Sequence, residues 1–217
     1  MSKVFFFLKQ ILENKTIYRI FLNWNIFCDC ACLSGEVVDL AGGGEASYYK
    51  FLNKNIKITK TNYFLGKNID QVINLNQKFI FADNSKSNVI FFNAIYILED
   101  VEFTLREIYR ILKPGGLFFI SSPFIANEMP EPHDFCRLSY EGLEKQLKKV
   151  GFSDIKIKRL GERFTSAVYL LEPFLRLRFV KLIIYPLAML CDRLIPKKII
   201  NKLPCTLRIF LYYKKII

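Results

Sequence analysis

A short apolar run that ends on a carboxylate and three consecutive glycines constrains the fold of this chain more than any other feature. Residues 36–41 have the composition of a buried strand, and Gly42, Gly43 and Gly44 follow them directly. Helical spacing of apolar residues resumes at 48–52. A strand, a glycine turn and a helix in this order begin a parallel α/β unit, in which ligands bind beyond the carboxyl ends of the strands. The sequence therefore predicts a binding site at the glycine turn.

The rest of the pattern alternates strands with helices through residue 160, which predicts a mostly parallel sheet with right-handed crossovers. One or two amphipathic helices precede it within residues 1–34. Further strands are predicted at 56–61, 71–75, 88–95, 117–121, 155–160 and 206–213. Helices are predicted at 99–112, which Pro114 ends, and from an N-cap at Ser139 to Gly151.

The length and hydropathy favour one folded domain. The chain has 217 residues, of which 52% are hydrophobic, and its mean hydropathy is +0.18. Such a composition excludes a disordered chain. We expect a single domain of four segments: N-terminal helices (1–34), a core (35–163), a basic helical insertion (164–204) and a last strand (205–217).

Membrane-spanning, secreted and metal-binding classes are each disfavoured. The longest charge-free stretch of the apolar C-terminal third, 182–191, has ten residues, whereas a spanning helix needs about 20. Lys9 interrupts the apolar N-terminus and no small-residue cleavage site follows, which predicts a cytoplasmic protein. Cys28, Cys30 and Cys32 lack the C-x-x-C spacing of a zinc site, so we expect no metal and interpret them as packing residues.

Several motifs occur in the order of one known family. Residues 37–44, Val-Val-Asp-Leu-Ala-Gly-Gly-Gly, resemble motif I of the class I S-adenosylmethionine-dependent methyltransferases. The run from Asp83-Asn-Ser through Asn93 to Lys113-Pro-Gly-Gly-Leu117 is similar to a longer pattern of that family. Residues 132–143 and Val150-Gly-Phe152 are similar to a segment of its methyltransferase type 11 group. The resemblance implies a Rossmann-like, seven-stranded, mostly parallel sheet in the order 3-2-1-4-5-7-6, with flanking helices and a helical insertion before the last strand.

The resemblance also implies the residues that bind S-adenosylmethionine. Asp39 would meet the methionine amino group, and Ala41, Gly42 and Gly43 would let the turn approach the methionine carboxylate. Asn62 occupies the ribose position, Asn74 and Leu75 the adenine position, and Asn93 the start of the floor after the fourth strand.

The departures from the family leave two functions open. The family usually has acids at the positions of Asn62, Asn74 and Ser87, and glycines at those of Ala41 and Glu45. An amide oxygen still accepts hydrogen bonds, although a carboxylate makes stronger ones. The chain is predicted to be an enzyme that methylates an oxygen atom of a small molecule or lipid-linked sugar, provided that Glu45 does not plug the turn. The alternative is a non-catalytic module that binds a membrane surface or a protein partner.

Three residues of the 132–143 segment are candidates for work on the acceptor. His133 is the only histidine and would follow the fifth strand at the carboxyl edge of the sheet, so it is the candidate catalytic base. A structural histidine is the alternative interpretation. Asp134 and Arg137 would orient His133 or the substrate, or would form an ion pair that only fixes the loop.

The positive charge is concentrated at the C-terminus. From Lys156 onward there are 14 Lys and Arg against three acids, in a chain of net charge +12. Residues 174–200 mix these bases with bulky aliphatics in an insertion that we expect to roof the acceptor pocket. They either pack on the core while their stems reach water, or lie on an anionic membrane at its inner face. Nucleic acid is the least favoured partner, because the aromatic residues form no RNA-binding motif.

Overall fold

The computed structural model describes residues 2–30, 33–130 and 133–215. Seven strands form one sheet in the order β3-β2-β1-β4-β5-β7-β6, which confirms the predicted fold class and order. Neighbours from β3 to β5 are parallel, and β7 is antiparallel to both β5 and β6. The strands are β1 (Glu36–Asp39), β2 (Lys57–Asn62), β3 (Gln71–Val72), β4 (Lys86–Phe92), β5 (Leu112–Pro123), β6 (Lys156–Leu160) and β7 (Arg208–Lys214).

Helices cover both faces of the sheet. They are α1 (Lys3–Leu12), α2 (Ile17–Asp29), α3 (Val101–Ile111), α4 (Tyr140–Val150), α5 (Arg163–Leu170), α6 (Arg178–Leu194) and α7 (Lys197–Lys202). On one face, α3 and α4 bury Leu105 and Leu147 against β4 and β5. On the other face, α1 and α2 bury Phe6 and Ile26 in a second apolar cluster. Burying both faces stabilises the nearly continuous apolar strands of a parallel sheet.

The helix ends follow the signals that the sequence carries. Asp100 caps α3 by accepting a hydrogen bond from the Phe103 amide (3.0 Å), and Ser139 caps α4 by accepting one from the Gly142 amide (3.1 Å). Gly151 ends α4 with a φ of 108°, a conformation that costs glycine little. The predicted helices at 99–112 and after Ser139 are thereby confirmed to within two residues at each end.

The prediction of a helix at 48–52 is wrong. The structure has only one 3₁₀ turn there, Tyr49–Phe51, and no α-helix joins β1 to β2. The Tyr49 hydroxyl donates to the Gly43 carbonyl (2.8 Å), and Phe51 packs on Phe6 of α1 at 5.2 Å between ring centroids. These tertiary contacts hold the segment in a compact loop. The helical spacing of its apolar residues alone does not reveal this.

Strand limits also differ from the prediction. The third strand has two residues rather than five, and β4 ends at Phe92 rather than residue 95. Asn93 ends β4 because its φ of 60° leaves the extended region. β5 extends from Leu112 to Pro123, well beyond 117–121, with a register irregularity opposite Lys86–Asn88.

The insertion before β7 is helical, as predicted, and one face of it packs on the N-terminal helices. Lys181 of α6 pairs with Glu172 (3.0 Å), and both side chains are almost fully buried. Glu172 also accepts from the Tyr185 hydroxyl and from the Ile17 amide that begins α2. Within the three described ranges, no helix is long and apolar enough to cross a bilayer.

Candidate active site

The carboxyl ends of β1, β2, β4 and β5 meet at one edge of the sheet, because these strands are parallel. Ala41 follows β1 in the left-handed region with a φ of 64°, a conformation that most side chains avoid. Ala41 contributes to the walls of two cavities at this edge. The two cavities therefore adjoin where the family's cosubstrate is expected to bend around the turn.

The first of these, which we call the β2–β3 cavity, has a volume of about 400 Å³. Its polar wall includes Asn62 and Asn74, and Leu75 contributes to its apolar wall. The Asn62 and Asn74 oxygens each accept one local backbone hydrogen bond, of 2.9 and 3.0 Å. Each oxygen has a second lone pair and each amide group retains its donors, so both side chains can still bind a ligand.

The second, which we call the glycine-turn cavity, has a volume of about 410 Å³. It is lined by Ala41, Gly42, Tyr48 and Asn93 together with Lys15 and Arg19. Neither Lys15 nor Arg19 forms an ion pair with an acid in the parts of the chain that the structure describes. No sequence pattern indicates either cation, since their distance from the turn along the chain hides their proximity in the fold.

Asp39, at the end of β1, is fully buried beside the glycine-turn cavity. Its Oδ2 accepts a hydrogen bond from the Tyr48 hydroxyl (2.5 Å), whereas Oδ1 has no partner among the described residues. Burial raises the pKa of Asp39 to about 6, although the Tyr48 and Tyr49 hydroxyls and the Lys60 charge stabilise the carboxylate. An unpartnered buried carboxylate oxygen is costly unless a cationic donor reaches it.

Gly42 allows Asp39 to occupy this position. A Cβ atom at residue 42 would overlap with the Asp39 carboxylate and the Tyr48 hydroxyl. Glu45 lines the edge of the glycine-turn cavity but does not plug the turn, because its exposed side chain pairs with Lys67 (3.1 Å). The turn therefore combines a close backbone approach, a buried acid and an open cavity.

The structure brings His133, Asp134 and Arg137 together in a third cavity of about 560 Å³. His133 is exposed, stacks on Phe135 (5.0 Å between centroids) and also lines the β2–β3 cavity. Asp134 forms an ion pair with Arg137 and accepts from the Met129 amide (2.9 Å). The Arg137 guanidinium holds the pKa of Asp134 below its usual range. Asp134 and Arg137 are thus bonded to each other, whereas His133 makes no such ion pair among the described residues.

Gly43, Asn93 and the cysteines are the remaining residues that the sequence singled out. Gly43, with a φ of 73°, belongs to the turn, and Asn93 bonds to the buried Arg208 of β7. No cluster of His, Cys, Asp or Glu suited to a metal occurs in residues 2–30, 33–130 or 133–215. Cys28 is exposed and Cys30 is buried, while Cys32 lies outside the described residues.

Comparison with known proteins finds similarity to methyltransferases. Residues 28–120 match a family described as "Methyltransferase domain". A SAM-dependent methyltransferase from Archaeoglobus fulgidus superposes with a TM-score of 0.62 and 14% identity, covering 93% of this chain and 96% of that one. No curated protein matches the chain in sequence.

Two other similar structures differ in their chemistry. Haemonchus contortus phosphoethanolamine N-methyltransferase 2, in complex with phosphomonomethylethanolamine and S-adenosylhomocysteine, has a TM-score of 0.62 and 17% identity. That match covers 90% of this chain and 52% of the nematode chain, so this chain spans about half its length. The [4+2]-cyclase SpnF has a TM-score of 0.60 and 16% identity over 91% of this chain and 81% of its own. At these identities the likeness is one of fold.

Proposed function

We propose that this chain is a class I S-adenosylmethionine-dependent methyltransferase, which its sheet order and the match of residues 28–120 support, and that it methylates an oxygen atom of a small molecule or a lipid-linked sugar. The observation that carries this proposal is the meeting of two cavities at Ala41, beside a buried carboxylate with an unpartnered oxygen. S-adenosylmethionine is a nucleoside joined to an amino acid, so its chemistry matches these two cavities.

Each cavity has a role in this proposal. Asn62, Asn74 and Leu75 would hold the adenosine in the β2–β3 cavity through polar and apolar contacts. Asp39 Oδ1 would accept from the methionine ammonium group, while Lys15 and Arg19 would pair with the methionine carboxylate. These two cations take the place of the helix N-terminus that the sequence predicts after the glycine turn.

The chain's own residues supply binding and alignment. When bound, S-adenosylmethionine supplies an electrophilic methyl group on a sulfonium. Ala41 and Asn93 would help to align donor and acceptor, and such alignment supplies much of the acceleration in a displacement of this kind. Where the acceptor is a hydroxyl, His133 would accept its proton, and Asp134 and Arg137 would fix the loop that presents His133.

Calorimetry with S-adenosylmethionine and S-adenosylhomocysteine tests the donor site. We expect binding by the full chain, weakened at least tenfold in Arg19→Met. Arg178→Met is the matched control, since Arg178 is exposed on α6, and it should bind as the wild type does. No heat from folded wild-type protein at millimolar ligand would reject the enzyme and favour a non-catalytic partner-binding module. Acceptors can then be screened with labelled donor against cell-envelope precursors.

We further propose that α6 lies on an anionic membrane surface at the inner face of the membrane. Phe179, Ile183, Leu187, Leu190 and Leu194 form an exposed stripe at helical spacing, opposite the face that buries Lys181 and Tyr185. Bases at positions 178, 193, 197 and 198 accompany the stripe. Apolar side chains among acyl chains with bases near lipid phosphates give this mode of binding its affinity.

Sedimentation with vesicles of phosphatidylglycerol and phosphatidylcholine tests this surface. We expect binding that increases with the phosphatidylglycerol fraction and falls at least tenfold in the double variant Ile183→Glu, Leu187→Glu. Ile80→Glu adds a charge at an exposed aliphatic residue outside the insertion and should leave binding unchanged. Equal binding by the double variant, or salt-sensitive binding to duplex DNA without vesicle binding, would contradict the proposal.

A further inference from the structure

Arg208 is a buried cation at the carboxyl edge of the sheet. It is the first residue of β7 and is paired in register with Pro123 of β5 and Leu160 of β6. Only 1% of its surface is exposed. The guanidinium lies 3.7 Å from the centroid of Tyr18 and donates to the Tyr169 hydroxyl (3.1 Å) and to Asn93 Oδ1. All its described partners are neutral.

The charge of Arg208 has no counter-ion in the described parts of the chain. Its Nε also lacks a hydrogen-bond partner there. A buried charge is costly unless an opposite charge pairs with it. Burial lowers the pKa of Arg208, and the nearby positive charge of Arg19 lowers it further. Arg208 and the nearby Arg19 therefore contribute positive charge to this region, which an anion would offset.

Arg208 also determines which end of the Asn93 amide faces the ligand. A guanidinium only donates hydrogen bonds, so the Asn93 oxygen must point toward Arg208. The Asn93 NH₂ group is then on the other side of the amide, and it donates to no group within the described residues. Because Asn93 lines the glycine-turn cavity, its free donors are available to a ligand there.

We propose that the acceptor bears an anionic oxygen, from a carboxylate or a phosphate group, which the Asn93 NH₂ binds within the field of Arg208. This inference rests on the proposed methyl transfer and names its acceptor class. A ligand atom facing an NH₂ donor must itself accept hydrogen bonds, which favours an oxygen over a protonated amine. Of the three charged groups of bound S-adenosylmethionine, the ammonium would pair with Asp39 and the carboxylate with Lys15 and Arg19, which leaves the sulfonium charge for an anion to offset.

The transfer step balances without a base for such an acceptor. A lone pair of the anionic oxygen forms the new O–C bond to the methyl carbon. The S–C bond breaks and its electron pair stays on sulfur, so the sulfonium becomes a neutral thioether. The anionic oxygen carries no proton to remove, which agrees with a glycine-turn cavity that is lined by two cations, one acid (Glu45) and no histidine.

Binding of inorganic phosphate and of acetate to protein saturated with S-adenosylhomocysteine tests the site. Saturation places the methionine carboxylate in its own site, so that the added anion reports on Asn93 and Arg208. The two anions distinguish a phosphate from a carboxylate acceptor. We expect wild type to bind at least one of them at millimolar concentration by calorimetry, and Asn93→Asp to bind it at least tenfold more weakly.

The variants separate a loss of the site from a loss of folding. Asn93→Asp keeps the acceptor for Arg208 and replaces only the NH₂ donor by a repelling oxygen. Asn93→Gly removes the side chain where a φ of 60° suits glycine, and we expect the same loss. Asn55→Asp adds the same charge at an exposed residue before β2 and should bind anions as wild type does.

Three results would overturn the inference. Wild type that binds S-adenosylhomocysteine but neither anion would leave the methyltransferase assignment standing and remove the anionic acceptor. Undiminished anion binding by Asn93→Asp and Asn93→Gly would do the same. Folded wild type that does not bind S-adenosylhomocysteine would reject the proposed function, and with it the assignment of the acceptor.

Discussion

Asp39 is a buried carboxylate whose environment affects both the stability of the fold and the proposed binding of a ligand ammonium group. The absence of a side chain at Gly42 leaves room for the Asp39 carboxylate under the turn, where the Tyr48 hydroxyl bonds to one of its oxygens. Burial holds the pKa of Asp39 at about 6, above its usual range. Asp39 therefore favours folding at low pH, and this contribution is lost as the pH rises through about 6. A ligand ammonium would offset that cost.

The affinity for S-adenosylmethionine should consequently depend on pH. Only the ionised Asp39 can pair with the ammonium group, so we expect constant affinity above about pH 7 and a decrease approaching tenfold per unit below pH 6. Calorimetry between pH 5 and about pH 8 measures this dependence.

Asp39→Asn provides the matching control. This variant should bind S-adenosylmethionine more weakly at neutral pH and with no decrease on acidification, because an amide does not titrate in this range. A wild-type affinity that stays constant down to pH 5 would exclude Asp39 as the partner of the ammonium group.

At the scale of elements, two departures from a regular α/β pattern shape the site. The segment after the glycine turn is a 3₁₀ turn rather than a helix, and its tyrosines bond back to Asp39 and Gly43. Cations for this cavity come instead from Lys15, just before α2, and Arg19 within it. The insertion keeps α2 in place, since Glu172 bonds to both the start of α2 and Lys181 of α6.

Lys181→Met should test this anchoring. Removing the lysine leaves Glu172 buried without its cationic partner, which costs about 3 kcal/mol. In a chain of this size, that loss lowers Tm by roughly 6–12 °C. Differential scanning calorimetry measures the shift.

Two further variants make the Lys181 measurement specific. The double variant Lys181→Met, Glu172→Gln should recover most of the lost Tm, because the remaining buried group is neutral. Arg178→Met, which removes an exposed charge from the same helix, should change Tm by less than about 2 °C. A Tm for Lys181→Met equal to that of wild type would mean that the buried pair does not hold the insertion.

At the scale of the whole molecule, the candidate site joins residues from nearly the full length of the chain. Lys15 and Arg19 come from the N-terminal helices, Asn62 and Asn74 from the first half of the sheet, and Arg208 from the last strand. We therefore propose that all four segments form one domain. Ligand binding would then stabilise the N-terminal helices together with the sheet.

Hydrogen exchange with and without S-adenosylhomocysteine measures that coupling. We expect slower exchange in α2 as well as in residues 40–48, because Lys15 and Arg19 line the cavity in which the ligand would bind. Helix α4 lies on the opposite face of the sheet and should change little. Protection confined to residues 40–48 would contradict a contribution of α2 to the site.

The sequence by itself predicted the cap at Ser139, and through the resemblance of its motifs to a known family it implied the sheet order and the positions of Asp39, Asn62 and Asn74 at one edge. It did so because local propensity and motif order act over short stretches of chain. Only the tertiary structure decided that residues 48–52 form no helix, that Lys15 and Arg19 reach the glycine turn, and that Arg208 orients Asn93. These features depend on contacts between residues far apart in the chain, which leave no periodic pattern in the sequence.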